Sequence, residues 1–171
     1  MKGKLTMTVI NVATDSTLAP ERVLQAASDF SDRRESVFPA VSVKRMTVHE
    51  IGQTSADVTE GTRAGPIVNW ERCCYDWSTP GRVIATVTDS NVYATPASKW
   101  EITAIPNEDG GSHVEMIWTR QFKRGPRGRF FGTLFRLVGN HIFRGYARTT
   151  IKNIEQLERA SESAALAASP H

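Results

Sequence analysis

The chain has 171 residues, 40% of them hydrophobic and 23% charged, which fits one folded domain with room for a real core. No apolar run reaches the roughly 18 residues of a membrane-crossing helix. The basic start of the chain lacks an apolar signal region, so a cytoplasmic protein is expected.

The net charge of +3 is unevenly spread. Nine Arg or Lys and no Asp or Glu lie within residues 116–154, leaving the remainder formally negative. Such polarity favours an anionic surface or ligand. The two cysteines, Cys73 and Cys74, are neighbours. On a strand they point to opposite faces, which suits neither a mutual disulfide nor a zinc site.

In chain order, residues 5–14 form a β-rich run, and Pro20 suits the first position of a helix that continues through Val23, Leu24, Ala27 and Phe30. A second short helix is predicted over 32–37, with Ser31 as N-cap and Pro39 ending it. Six β-type segments follow, at 41–51, 54–63, 67–78, 82–90, 98–106 and 113–123, broken by Gly, Pro, Asn and Asp. Most breaks are hairpin-length, so the segments read as an antiparallel meander.

Register can be argued for two hairpins. Pairing Trp100 with Trp118 also pairs Ile102 with Met116 and Ala104 with Val114, which leaves Lys99, Glu101, His113 and Glu115 on the other face. Pairing Trp77 with Val83 also pairs Tyr75 with Ala85 and Cys73 with Val87. A one-residue bulge would reverse either facing.

Residues 128–161 read as a helix with two apolar stripes, one from Phe131 through Leu134, Phe135 and Val138 to Ile142, the other from Phe143 through Tyr146 and Thr150 to Leu157. The stripes are offset by roughly 120° at 100° per residue. A break or kink near Gly139 is therefore predicted. A domain over 1–160 and a disordered tail over 161–171 complete the reading. One long helix cannot fill the concavity of a seven-stranded curved sheet, so an apolar cavity is expected between them.

The stretches "APERVLQAASDFSDRRESVFP", "WERCCYDWSTPGRVIATVTDSN" and "SKWEIT", followed by the basic amphipathic helix, resemble the SRPBCC superfamily, also called START-like or helix-grip. The nearest branch resembles polyketide cyclase/dehydrase and lipid transport proteins. The resemblance covers about residues 5–160. It implies an α+β helix-grip fold: a seven-stranded curved antiparallel sheet, two short helices after the first strand and a long C-terminal helix. It also implies a pocket for hydrophobic molecules, carried by some members and cyclised or aromatised by others. No catalytic residue set is shared across the superfamily, so none is transferred.

On facing alone, Cys73, Tyr75, Trp77, Val87, Trp100, Ile102, Met116, Trp118, Phe135, Val138, Ile142 and Tyr146 are candidate ligand contacts. Proton-moving chemistry on a poly-β-ketone needs an acid–base group and hydrogen bonds to an enolate oxygen. Glu60, Glu71, Tyr75, Asp76, Glu101, His113, Glu115 and His141 are the residues of suitable type. Glu71 and Tyr75 share inward parity with Trp77 and come first, with His141 behind them; the simplest alternative is that the strand carboxylates face water.

His49, His113 and His141 lie on separate segments without ligand spacing, so no metal site is expected, and no cofactor. GxGxxG, P-loop, GxSxG and HExxH motifs are absent. The stretch "FKRGPRGRFFGTLFRLVG" joins aromatics to Arg124, Arg127 and Arg129, which suits an anion or transient contact with an anionic membrane; no motif favours nucleic acid. The sequence thus predicts a binder or transporter of a lipid- or polyketide-like molecule, with a cyclase, aromatase or dehydratase as the alternative. Nothing in it sets an oligomeric state.

Overall fold

The structure, a computed structural model, describes residues 7–64 and 67–168. β1 (Met7–Ser16) leads through α1 (Pro20–Ala27) and α2 (Arg34–Val37) to β2 (Val41–Ile51), β3 (Ser55–Ala64), β4 (Ile67–Asp76), β5 (Arg82–Ser90), β6 (Lys99–Pro106) and β7 (Ser112–Gln121). α3 (Pro126–Ala168) ends the described chain. Residues 5–6 of the predicted first strand, 65–66 of a predicted turn and 169–171 of the predicted tail lie outside the described residues.

The strands form one antiparallel sheet in the order β1-β7-β6-β5-β4-β3-β2. The meander accounts for β2 to β7. The two short helices let the chain leave β1 at one edge and return at the other. This is the expected helix-grip arrangement. The β6–β7 register pairs Trp100 with Trp118, Ile102 with Met116 and Ala104 with Val114, and all six side chains are buried. Across β4 and β5, Tyr75 faces Ala85 and Cys73 faces Val87. A bulge does occur there, but Thr88 of β5 absorbs it, because Arg72 pairs with Asp89 while Cys73 pairs with Val87. β4 therefore keeps its alternation, and Glu71 points inward with Cys73 and Tyr75. Cys73 is buried, Cys74 is exposed, and both are free thiols.

α3 is one continuous helix, without the predicted break at Gly139. Gly139 serves close packing instead: a Cβ there would lie 2.7 Å from Ile10 Cδ1 on β1. The two stripes are reconciled by different surroundings. The second half buries Ala147, Thr150, Ile151 and Ile154, whereas Leu134, Val138 and Ile142 of the first half stay exposed. The helix also runs past Ser161 to Ala168, where a disordered tail was expected. Its last turns are rich in alanine, the strongest helix former.

The second half of α3 is fastened by polar contacts. Glu155 Oε1 accepts from the Thr17 N–H at 2.8 Å and from Ser16 Oγ at 3.0 Å. Glu158 pairs with Arg22 and Arg33, and Asn153 Nδ2 donates to the Val37 carbonyl. No comparable set fastens the exposed apolar stripe of the first half among the contacts of the described residues.

Candidate functional site

The concave face of the sheet is shared by two fillings. At one end α1, α2 and the loop between them insert Val23, Ala27, Phe30, Val37 and Phe38 against Tyr75, Ala85 and Ile102. Phe30 meets Tyr75 edge-on with ring centres 4.7 Å apart, and Trp77 lies 6.4 Å from the same ring. At the other end α3 covers the sheet, and a cavity of about 280 Å³ remains, closed on the side of the short helices by Phe38, Ala40 and Val41. An apolar protein cavity of about 150 Å³ already holds benzene, so this one has room for a larger molecule.

This division decides which predicted contacts reach the cavity. Trp100, Met116 and Trp118 form its floor, and Phe135, Ile142 and Tyr146 belong to its α3 wall. Cys73, Tyr75, Val87 and Ile102 do not reach it; they are packed into the core that α1 and α2 complete. Trp77 sits against Phe30 in that core, and Val138 turns outward on α3. Apart from Val138, these residues face the concave side as the hydrophobic pattern predicts, but that pattern held no sign of where the short helices would plug it. Trp70, Leu134 and Ile142 line the cavity while remaining partly exposed, which marks its mouth.

The polar wall is formed by Glu60, Thr62, Asn69, Glu71, Tyr93, Arg120 and Tyr146. Glu60 and Glu71 stand opposite each other on β3 and β4, yet each is held by a different arginine. Arg34 Nε donates to Glu60 Oε1 at 2.5 Å, Tyr75 Oη donates to Glu60 Oε2 at 2.6 Å, and Arg34 Nη2 donates to Tyr75 Oη at 3.0 Å. Arg34 Nη1 donates to the carbonyls of Ala27 and Asp29, and the guanidinium lies 4.5 Å from the ring centres of both Phe30 and Phe38. Burial works against the Arg34 charge, but Glu60 and Tyr75 together outweigh it and the guanidinium pKa lies above its ordinary value. Tyr75 is thus committed to a closed structural network, away from the reaction role proposed from sequence. Burial drives its phenol well above its ordinary pKa.

The second pair is incomplete. Arg120 Nη2 donates to Glu71 Oε1 at 3.3 Å, with the two side chains only 5% and 16% exposed. Arg120 Nε and Nη1 and Glu71 Oε2 have no hydrogen-bond partner among the described residues. Tyr93 supports the guanidinium, its ring centre 4.5 Å from Arg120 Cζ, and burial pushes the Tyr93 phenol up to about 12. Burial also raises the Glu71 carboxyl above its ordinary 4.5; Arg120 opposes this and Glu60 adds to it. By sequence Arg120 belongs to the basic run within residues 116–154. Its parity with Met116 and Trp118 was the signal that places it inside. Tyr93 lies in an irregular segment with no periodicity to read.

The other candidates lie elsewhere. His141 is exposed on α3, because the residue after it, Ile142, already sits at the edge of the cavity. Asp76 is exposed and accepts from the Ser78 N–H; Glu101 pairs with Arg82 and Lys99; His113 meets Asp15; Glu115 accepts from Asn11. Arg124, Arg127 and Arg129 are exposed around the start of α3, and Arg127 Nη2 donates to the Val68 carbonyl at 2.8 Å. No cluster of metal-ligating side chains occurs among the described residues. No described helix is long and apolar enough to cross a membrane.

The elevated Glu71 pKa sets a pH dependence. A carboxyl whose folded pKa lies above its unfolded value binds its proton more tightly in the folded protein. Its stabilising contribution is complete below its ordinary value of 4.5 and is lost as pH rises through the raised folded value. The melting temperature of the protein is therefore expected to fall relative to that of Glu71→Gln as pH rises from about 4 to about 8. A difference that stays constant over that range would refute the assignment.

The family model described as polyketide cyclase / dehydrase and lipid transport matches residues 7–157. No curated protein matches the chain by sequence. Among solved structures, the Zhui aromatase/cyclase from a Streptomyces species is similar with a TM-score of 0.73, at 11% identity over 91% of this chain and 98% of that one. A Thermus thermophilus protein gives 0.70 at 14% identity, covering 90% of this chain and 99% of its own. A START superfamily protein from Mycobacterium smegmatis gives 0.67 at 10% identity, covering 87% and 98%. At such identities the likeness is one of fold.

Proposed function

Because this chain belongs to the polyketide cyclase / dehydrase and lipid transport family, we propose that it binds a neutral, hydrophobic small molecule bearing a carbonyl and a hydroxyl at one end. The observation that carries this reading is the incomplete Glu71–Arg120 pair on the wall of an otherwise apolar cavity. A buried polar atom without a partner costs about 1–3 kcal/mol, so a ligand that supplies the missing bonds recovers that energy. The two orphaned N–H groups of Arg120 call for an acceptor such as a carbonyl oxygen. The orphaned Glu71 oxygen, when ionised, calls for a hydroxyl donor. Arg34 with Glu60 and Arg120 with Glu71 each balance in charge, so the site has no net charge with which to favour an anion. Trp100, Trp118 and Phe135 supply flat apolar walls for rings.

The neutral fluorophore N-phenyl-1-naphthylamine is expected to bind one-to-one and saturably, with displacement by apolar ring ketones. Leu134→Trp combined with Ile142→Trp, which crowds the mouth, is expected to weaken uptake about tenfold or more, roughly the 1.4 kcal/mol of a factor of ten. Absence of saturable uptake by the unaltered protein would defeat the reading.

A second reading, a cyclase or dehydratase, is favoured by the same carboxyl. Glu71, when ionised, takes a proton from a carbon between two carbonyls, and the Arg120 N–H groups hold the enolate oxygen that forms. The two readings part at Glu71→Gln. The enzyme loses turnover of a poly-β-ketone while still taking up the fluorophore; a carrier shows no turnover to lose.

A further inference from the structure

We propose that the first half of α3 docks on an anionic lipid bilayer, placing the cavity mouth against the lipid surface. Leu137 is 75% exposed, Phe130 57% and Ile142 51%, and Leu134 and Val138 are also exposed. At 100° per residue these five side chains fall within an arc of about 140° that runs from the solvent side of the helix to the rim of the cavity. Soluble surfaces carry scattered apolar side chains, but a contiguous set on one helical face marks an interaction site.

The charge beside this stripe identifies the occupant. Arg127 and Arg148 fall inside this arc and Arg144 about 20° beyond its edge, all three exposed, and no acidic residue occurs within residues 116–154. An apolar stripe flanked by arginines is the pattern of a helix lying in a membrane interface, with apolar side chains among acyl chains and guanidinium groups at phosphates. A second copy is a poor occupant, since a two-fold contact across this face would set arginines against arginines. The stripe also meets the cavity, because Leu134 and Ile142 belong to both. The second half of α3 is pinned through Asn153, Glu155 and Glu158, so the docking face is confined to the half that lacks those fastenings. The inference does not depend on which molecule the cavity holds.

The test is co-sedimentation of the full chain with vesicles of phosphatidylcholine alone and of phosphatidylcholine with about one third phosphatidylserine, at low and high salt. Binding is expected to the anionic vesicles, to weaken with salt, and to be lost in Leu137→Glu. Leu137 lines no part of the cavity and is solvent-exposed, so the variant is expected to keep its circular dichroism and its fluorophore uptake; Leu137→Ser serves if it does not. Reversing Arg144 and Arg148 to Glu is expected to weaken binding about a hundredfold. No binding to either vesicle, equal binding to both, or equal binding by the protein and Leu137→Glu overturns the proposal. So does a dimer that Leu137→Glu disperses without any vesicle binding, which assigns the face to a second copy.

Discussion

Arg34→Ala is expected to destabilise the protein by about 3–5 kcal/mol, the usual cost of removing one partner from a buried ion pair. A domain of this size has about 5–15 kcal/mol in total, so the variant should lose at least a fifth of its stability and in the worst case all of it. The loss is large because the guanidinium performs three tasks at once. It pairs with Glu60, it satisfies the Ala27 and Asp29 carbonyls, and it lies between the rings of Phe30 and Phe38. Without it Glu60 keeps only the Tyr75 hydroxyl and loses its counter-charge, two carbonyls lose their donor, and the α1–α2 plug loses its anchor to the sheet. Arg34→Met combined with Glu60→Leu removes the charges together and is expected to recover part of the loss, because no isolated buried charge remains. Urea unfolding of the two variants and the parent checks this. A loss below about 1 kcal/mol for Arg34→Ala would mean the network is not what holds the plug.

The plug also explains how much of the molecule could be read from its residues. The meander of β2 to β7 follows from hairpin-length breaks, and the paired faces of β6 and β7 and the inward direction of Glu71 follow from alternation between polar and apolar side chains, local signals that survive translation into three dimensions. Two misreadings share one cause. Tyr75 and Cys73 face the concave side as alternation demands, but whether they meet a cavity depends on where Phe30 and Phe38 arrive from another part of the chain. Gly139 looked like a weak point because helix propensity treats glycine as a defect, whereas the close approach of Ile10 gives it a packing role that only the tertiary structure displays. Arg120 was hidden by the opposite problem. Its basic neighbours Lys123, Arg124 and Arg127 made a surface patch the natural reading, although β7 alternation pointed the side chain inward. A charged residue that obeys the apolar parity of its strand is buried at a cost, and a partner or a ligand has to offset that cost.

Arg120→Met is accordingly expected to separate the two halves of the proposed recognition. Methionine keeps apolar bulk against Tyr93 but removes the two unsatisfied N–H groups. A hydrogen bond to a charged group is worth about 1.5–3 kcal/mol, so the loss of a single one should lower affinity for a hydroxynaphthyl ketone by about ten- to a hundredfold. Affinity for N-phenyl-1-naphthylamine, which has no oxygen to offer, should change by less than about twofold, since the apolar walls are untouched. The fold should tolerate the change better than it tolerates Arg34→Ala. Glu71 already has a raised pKa through burial, and losing the Arg120 charge that opposes this raises it further, so the carboxyl can stay protonated rather than be left as a bare buried charge. Fluorescence titration of both ligands against parent and variant gives the ratio directly. Equal losses for the two ligands would trace the effect to a collapsed cavity. No loss for the ketone would remove Arg120 from the recognition site and leave shape alone to select the ligand.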